Sequence, residues 1–207
     1  MVAEYKLTYF DGRGLGDVSR QLFALAGVEF EDVRVTHDSW PTLKPDTPFG
    51  QLPVLETNGI RIPQSLAIAR YLANKFGFAG KTAEEKALID AFGDQFKDFY
   101  AEIKPYYYSK IGVLPNNPEE EIEKTLIPAR DKFFAILLTY LKKSKSGFLV
   151  DSGVTFADLI IADNMRTLIN WYPKYTEGYP EIRAWYDKVD NIPAIRKHIQ
   201  NTKDNGF

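Results

Sequence analysis

The stretch Gly50–Leu72, GQLPVLETNGIRIPQSLAIARYL, carries the local signals of a strand, a turn, a second strand and a helix. Asn58-Gly59 lies between two short apolar runs, and this dipeptide is the strongest short-range signal for a β-hairpin. Ser65 favours a helix N-cap, and the apolar spacing after it predicts a helix that ends near Phe76. Pro53 stands where the first strand should begin. Because proline has no amide hydrogen to donate, this position suits a strand start or an edge that another backbone completes.

The composition of the 207-residue chain limits what the protein can be. Its 26 basic residues nearly balance 28 acidic ones, which argues against a nucleic acid or an anionic membrane as partner. The chain has no cysteine, so a disulfide framework, a cysteine zinc site and a cysteine nucleophile are excluded. His37 and His198 are far apart and share no acidic ligand pattern, so we predict no metal. There is no long apolar run and no signal-peptide pattern, and we therefore expect a soluble, cytoplasmic protein.

The first third of the chain reads as an α/β unit. A strand is predicted at 5–10, a helix at 17–26 that ends at Gly27, and a second strand at 30–35. The hairpin and helix of the opening stretch follow after a loop, which gives the element order β-α-β-β-α.

The rest of the chain carries almost no β signal, so the expected fold class is α/β followed by all-α. We predict a domain at 1–77, a linker at 78–81 and an all-helical domain at 82–207. The helices expected in this second domain span 82–104, 119–143 with a bend at Pro128, 155–171 after a capping-box pattern, and two shorter segments that begin at Pro180 and Pro193.

The first unit has the thioredoxin-like element order but lacks the C-x-x-C of a redox protein. Together with the helical second half, the chain resembles a cytosolic glutathione transferase over essentially its full length. The matching motifs, in chain order, are Leu7–Phe10, Trp40 with Lys44, Gly50–Pro53, Gln64-Ser65 and Thr155–Asp158. Each motif alone is weak, but their order on the right elements makes the match specific. The resemblance is greatest to the sigma class and its nematode relatives.

This resemblance implies a glutathione site. Its residues would be Tyr9, Phe10, Trp40, Lys44, Gln51, Leu52, Pro53, Gln64, Ser65 and Asp98. Pro53 would be cis and would hold Leu52 so that its main chain pairs with the cysteinyl backbone of glutathione, a form of β-augmentation.

The remaining groups of glutathione would be held by charged and polar side chains. Gln64 and Ser65 would bind the γ-glutamyl carboxylate at a helix start, where free amides and the helix dipole favour an anion. Trp40 and Lys44 would bind the glycyl carboxylate. In a homodimer, Asp98 would reach the γ-glutamyl amine of the ligand in the partner subunit. The plainer alternatives are a helix cap for Ser65 and solvated surface positions for Lys44 and Asp98.

Tyr9 is the predicted catalytic residue. A free thiol has a pKa near ~8.5, and lowering it by about two units requires roughly 2.7 kcal/mol of preference for the anion. One hydrogen bond to a charged group supplies about 1.5–3 kcal/mol, so a single hydroxyl could provide most of this energy. Tyr9 would stay protonated and donate to the sulfur. The alternative is a buried strand tyrosine like Tyr5, which lies on the same face of the strand.

The sequence departs from the family pattern after the first strand. Many sigma-class members carry Gly-Arg-Ala-Glu there, whereas this chain has Gly14-Leu15-Gly16-Asp17. Leu15 therefore replaces an arginine, which predicts a more apolar pocket and weakens a claim of prostaglandin isomerase activity. The expected lining of the electrophile pocket is Phe10, Gly12, Arg13, Leu15, Tyr106 and Phe207, with Tyr106 the first residue of the aromatic run Tyr106-Tyr107-Tyr108. This run could instead belong to an interface or pack at a helix end.

The implied function is conjugation of reduced glutathione to hydrophobic electrophiles by a homodimer in detoxification, with glutathione as co-substrate and no other cofactor. Phe49 matches an aromatic residue that other classes insert into the partner subunit, although it could instead pack in its own loop. The alternatives are a glutathione-dependent isomerase or peroxidase on the same site, and a non-enzymatic carrier of haem or lipids.

Overall fold

The structure, a computed structural model, describes residues 4–202 of the chain. Its first part is a four-stranded mixed sheet with helices, and its second part is entirely helical. The strands and helices of the first part are β1 Tyr5–Phe10, α1 Asp17–Ala26, β2 Glu31–Val35, α2 Trp40–Leu43, β3 Val54–Thr57, β4 Ile60–Pro63 and α3 Ser65–Phe76. This is the predicted thioredoxin-like arrangement.

The sheet has the strand order β2-β1-β3-β4. β1 pairs parallel with β2 and antiparallel with β3, and β3 pairs antiparallel with β4. The predicted hairpin turn is confirmed: Asn58 has φ +49° and Gly59 has φ +75°, the two positive angles of a type I′ turn. Gly27 ends α1 in the left-handed conformation, also as predicted.

The start of α3 differs from the prediction by one residue. Ser65 is the first helical residue, and Gln64 occupies the N-cap position with φ +74°. The Gln64 carbonyl accepts from the Ile68 N–H at 3.0 Å, which begins the helical ladder, while no side chain caps the helix. Positive φ is uncommon outside glycine, so the tight chain path into α3 outweighs the preference of serine for the cap.

The second part consists of helices and the segments that join them. The helices are α4 Ala83–Glu102, α5 Lys104–Lys110, α6 Pro118–Glu121, α7 Ile127–Leu141, α8 Phe156–Trp171, α9 Pro180–Asp190 and α10 Pro193–Asn201. The segment 142–155 between α7 and α8 is the longest of the connections. The helix predicted to reach Lys104 ends at Glu102, because Pro105 belongs to the first turn of a separate helix. The irregularity expected near Pro128 takes the form of a π-helical turn at Ile122–Leu126.

Two predicted helix starts have side-chain caps. Thr82 caps α4 by accepting from the Glu85 N–H at 3.2 Å. Thr155 and Asp158 form the complete predicted capping box of α8. Both capped helices belong to the core of the second part.

One hydrophobic core runs through both parts. Buried side chains such as Phe23 and Leu72 from the first part and Phe96 and Leu159 from the second belong to the same cluster. The segment predicted as a linker packs onto this core: Ala79 is buried, and the Phe78 carbonyl accepts from the Phe156 N–H at 3.2 Å. The division into 1–77, 78–81 and 82–207 stays a prediction. None of the helices within residues 4–202 has the length and apolar character needed to cross a bilayer.

Candidate active site

Two adjoining cavities lie between the sheet and the helices of the second part. The Tyr9 cavity has a volume of about 510 Å³ and the Gln64 cavity about 730 Å³. The Tyr9 cavity is lined by Tyr9, Phe10, Asp11, Gly12, Gly14, Leu15, Val35, Thr36, His37, Leu52, Tyr100, Tyr107, Tyr108 and Ile111. The Gln64 cavity is lined by Leu15, Gln51, Gln64, Ser65, Leu66, Ala67, Arg70, Phe96, Lys97, Tyr100, Ala101, Lys104, Tyr108 and Ile160. Leu15, Tyr100 and Tyr108 line both cavities, so the two are direct neighbours.

The Tyr9 hydroxyl is oriented by the backbone that follows its own strand. The Leu15 N–H donates to the Tyr9 oxygen at 3.0 Å. Burial raises the pKa of the Tyr9 hydroxyl, although the Leu15 N–H and the Arg20 guanidinium both oppose this rise. The phenol is therefore neutral at physiological pH. Since its oxygen already accepts a hydrogen bond, its proton is available to a ligand in the cavity.

Two glycines make room for the Tyr9 ring. A Cβ at Gly14 would lie 2.6 Å from the Tyr9 oxygen, and a Cβ at Gly16 would lie 2.4 Å from Cδ1 of the ring. Neither distance is compatible with the present ring position. Gly16 stands where the family pattern described above has alanine, so the tyrosine ring of this chain lies closer to the turn than an alanine would allow.

The Gln64 cavity has the polar groups that an anionic peptide needs. Gln64 Nε2 donates to Gln51 Oε1 at 3.0 Å, which brings two of the predicted binding side chains together. Ser65 opens the twelve-residue helix α3, whose first turn leaves backbone N–H groups without helical partners. Lys97 and Lys104 add positive charge to the opposite wall. The cavity therefore suits a ligand that carries a carboxylate.

The predicted peptide-pairing edge lies at the Tyr9 cavity. The Leu52–Pro53 bond is cis, as the family resemblance implied. Leu52 lines the Tyr9 cavity, and Gln51 before it lines the Gln64 cavity. The backbone of this segment therefore passes along both cavities.

The other predicted binding residues lie at or outside the cavity rims. Trp40 and Lys44 share the turn of α2, where the Lys44 N–H bonds the Trp40 carbonyl, and the Trp40 ring packs edge-on against Phe10 with centroids 5.4 Å apart. Neither residue lines the two cavities. Asp98 is exposed on α4, and Phe49 is 64% exposed in the loop after α2.

The structure corrects part of the predicted electrophile pocket. Phe10, Gly12 and Leu15 line the Tyr9 cavity, but Arg13 and Tyr106 do not. Arg13 is only 4% exposed and points to α8, where Asp163 and Thr167 bind its guanidinium. Tyr106 is fully buried on the inner side of α5. Phe207 lies outside the described residues.

Tyr100 and His37 are lining residues that escaped the sequence prediction. Tyr100 lines both cavities from α4, whereas Tyr107 and Tyr108, which belong to the predicted aromatic run, line the Tyr9 cavity from α5. Burial raises the pKa of Tyr100 and of Tyr107, so both remain hydrogen-bond donors. Phe96 and Tyr100 are four residues apart and so share one helical face, and this spacing could have predicted that Tyr100 lines the site. His37, which stacks on Phe10 with centroids 5.5 Å apart, offered no such signal because it lies in a loop.

The chain matches known proteins over nearly its whole length. The family model for the glutathione S-transferase N-terminal domain matches residues 5–74, and that for the C-terminal domain matches residues 96–202. Glutathione S-transferase 1 of Ascaris suum is 44% identical over 196 residues, which cover 95% of both chains. The solved structure of monomeric Na-GST-3, a glutathione S-transferase of the hookworm Necator americanus, has a TM-score of 0.96 at 47% identity and covers 99% of this chain and 100% of its own. A Nu-class transferase of Haemonchus contortus has a TM-score of 0.90 at 47% identity over 98% of both chains.

Proposed function

The chain belongs to the glutathione S-transferase family, and from this membership we propose that it joins glutathione to hydrophobic electrophiles with Tyr9 stabilising the thiolate. Glutathione is the co-substrate of this family, and the chain is a transferase by its relatives. The observation that carries the proposal for Tyr9 is that this residue lines a cavity while its hydroxyl oxygen accepts from the Leu15 N–H at 3.0 Å.

The proposed chemistry needs a donor that does not itself ionise. Burial keeps Tyr9 protonated, so its O–H donates to the sulfur rather than removing the thiol proton. The hydrogen bond from Leu15 polarises the phenol and strengthens this donation. The thiol proton passes to solvent, the sulfur forms a bond to the electrophilic carbon, and a leaving group departs with its bonding electrons.

The proposed glutathione pose uses both cavities. The γ-glutamyl end lies in the Gln64 cavity against Gln64, Ser65 and the free amides of α3, which complement its carboxylate. The cysteinyl backbone pairs with the main chain of Leu52, and the thiol points to Tyr9. Trp40 and Lys44 would approach the glycyl carboxylate from α2.

The electrophile is proposed to occupy the rest of the Tyr9 cavity. Phe10, Leu15 and Ile111 provide apolar surface, which favours shape-tolerant binding of hydrophobic molecules. Leu15 stands where many sigma-class members have arginine. Within residues 4–202 no lysine or arginine lines the Tyr9 cavity, which disfavours prostaglandin isomerisation.

We make two further proposals, on the transferase class and on the oligomeric state. The relatives support a transferase of the nematode type, and one of these relatives is described as Nu-class. They give no specific support to the sigma class. We propose a cytoplasmic homodimer that uses Asp98 and Phe49 at its interface. One hookworm relative, in contrast, is described as monomeric.

We expect the thiol of bound glutathione to have a pKa about two units below its free value of about 8.5. The ultraviolet absorbance of the thiolate, followed against pH with the protein in excess, measures this pKa directly. A bound thiol that titrates like free glutathione would contradict the proposed activation. Tight haem binding with negligible conjugation activity would then favour a non-enzymatic carrier of haem or lipids.

We also expect light scattering to give twice the mass of one chain. Phe49→Ser should shift the mass towards one chain, because a 64% exposed phenylalanine is proposed to bury itself in the partner. Ile60→Ser, which alters another exposed apolar residue at 54%, serves as the control. One chain mass for the native protein would reject the dimer and the proposed role of Asp98.

A further inference from the structure

The turn between β1 and α1 is anchored at both ends by buried charged side chains. Arg13 precedes the turn, and its guanidinium donates to Asp163 Oδ1 at 3.2 Å and to Thr167 Oγ1 at 2.9 Å. Asp17 follows the turn, is fully buried, and lies with both carboxylate oxygens 3.1 Å from His198 Nε2. The partners belong to α8 and α10, so the second part of the chain holds both ends of the turn.

The three residues between these anchors all contact Tyr9. Leu15 donates its N–H to the Tyr9 oxygen, and Gly14 and Gly16 lie against the ring too closely for a Cβ. The Asp17 N–H bonds the Arg13 carbonyl at 3.0 Å and closes the turn. A displacement of Arg13 would therefore carry the Leu15 amide with it.

We propose that Arg13 is a positioning residue for Tyr9, and that its contacts with Asp163 and Thr167 set the place of the Leu15 amide that orients the hydroxyl. A hydrogen bond weakens steeply when its angle and distance deteriorate, so a small shift of the turn reduces the bond from Tyr9 to the thiolate. The inference depends on the proposed role of Tyr9 and adds a residue that touches neither substrate.

The anchor on α8 is itself rigid. Asp163 Oδ1 also accepts from Arg166 at 2.8 Å and from Gln21 at 3.1 Å. Arg166 in turn binds Asp190 of α9 at 2.6 Å. Besides Arg13 itself, one arginine, one glutamine and two carboxylates thus fix this point. The loss of a buried ion pair destabilises a protein whatever else it does, so the test needs a measurement beyond stability.

Arg13→Met removes the cation and both hydrogen bonds while keeping a long side chain. Asp163 retains Arg166 and Gln21. We expect the pKa of the bound glutathione thiol to rise by about one unit, so that conjugation below that pKa slows about tenfold. Thr167→Val removes only the 2.9 Å bond to Arg13 and should shift the pKa in the same direction by less. If Arg13→Met does not fold, the thiol pKa measured with Thr167→Val tests the proposal instead.

Arg130→Met is the matched control. It removes another arginine cation, which binds Asp131 and the Tyr175 carbonyl from α7, without touching the turn or Asp163. We expect a lower melting temperature and an unchanged thiol pKa. If Arg13→Met, or Thr167→Val in its place, also lowers the melting temperature without moving the thiol pKa, Arg13 only stabilises the fold and the proposal is wrong.

A double variant separates this inference from the proposed function. In a Tyr9→Phe background, Arg13→Met should cause no further change in the thiol pKa, because the hydroxyl that it positions is gone. An equal further rise would show that Arg13 acts on the thiol without Tyr9 and would overturn the positioning role. If Tyr9→Phe alone leaves the thiol pKa unchanged, the proposed function fails, whatever Arg13 does.

Discussion

Tyr9→Phe should slow conjugation of glutathione to a chloro-dinitrobenzene electrophile by about 100-fold well below the pKa of the bound thiol, the equivalent of about 2.7 kcal/mol, and by about 25-fold at pH 7. The substitution removes one oxygen from a ring that Gly14 and Gly16 enclose, so the ring itself should stay in place. Glutathione affinity should change little, because the proposed contacts with its carboxylates lie elsewhere. The bound thiol should titrate close to its free pKa. Steady-state rates and the thiolate absorbance of the same samples measure both effects.

Tyr5→Phe is the matched control for this experiment. Tyr5 lies on the same face of β1, is 2% exposed and packs on Phe23 and Phe76 away from the cavities. Its loss of a hydroxyl should leave the rate unchanged. If native protein and Tyr9→Phe both bind glutathione and neither turns over, the role of Tyr9 loses its support. A carrier of haem or lipids would then be the better proposal.

Asp158→Ala should reduce the free energy of unfolding by about 3–5 kcal/mol, near the upper end for one substitution. The carboxylate is fully buried and accepts four hydrogen bonds. Its donors are the Leu149 N–H, the Trp185 indole N–H, the Thr155 N–H and the Thr155 hydroxyl, all between 2.8 and 3.0 Å. Alanine would leave these groups buried without an acceptor and would remove one of the two hydrogen bonds of the α8 capping box. Denaturant unfolding followed by tryptophan fluorescence measures the loss.

Thr82→Ala provides the comparison for a cap on the surface. Thr82 accepts one bond of 3.2 Å at the start of α4, and its removal should cost about 1 kcal/mol. Equal losses for the two variants would mean that the buried hydrogen bonds of Asp158 add nothing to simple helix capping.

Much of the secondary structure could be predicted because its causes lie within a few residues. Asn58-Gly59 determined the hairpin turn, Gly27 the end of α1, and Thr155 with Asp158 the start of α8. The one-residue error at Ser65 occurred where the incoming chain imposed a positive φ on Gln64. That angle depends on how β4 joins α3, which the preference of a single residue for a cap does not describe.

The candidate site was predictable to a lesser extent. Tyr9, Gln51, Gln64 and Ser65 were identified from family motifs, and the structure places them at two adjoining cavities. The tyrosine run of α5 was predicted to line the pocket, but the sequence did not show which of its members would do so. Tyr106 faces the core, whereas Tyr107 and Tyr108 line the cavity. The rotation of a short helix about its axis depends on its neighbours, and three consecutive tyrosines carry no periodic signal.

By itself, the sequence determined the order of the elements, the turn and cap residues and the family, since these follow from local chemistry and motif order. Only the tertiary structure decided the surroundings of Arg13, which looked like a pocket residue beside Leu15. Its partners Asp163 and Thr167 lie 150 and 154 residues further along the chain. A pairing at that separation arises when α8 packs against the turn, and the burial that makes the pair strong exists only after that packing.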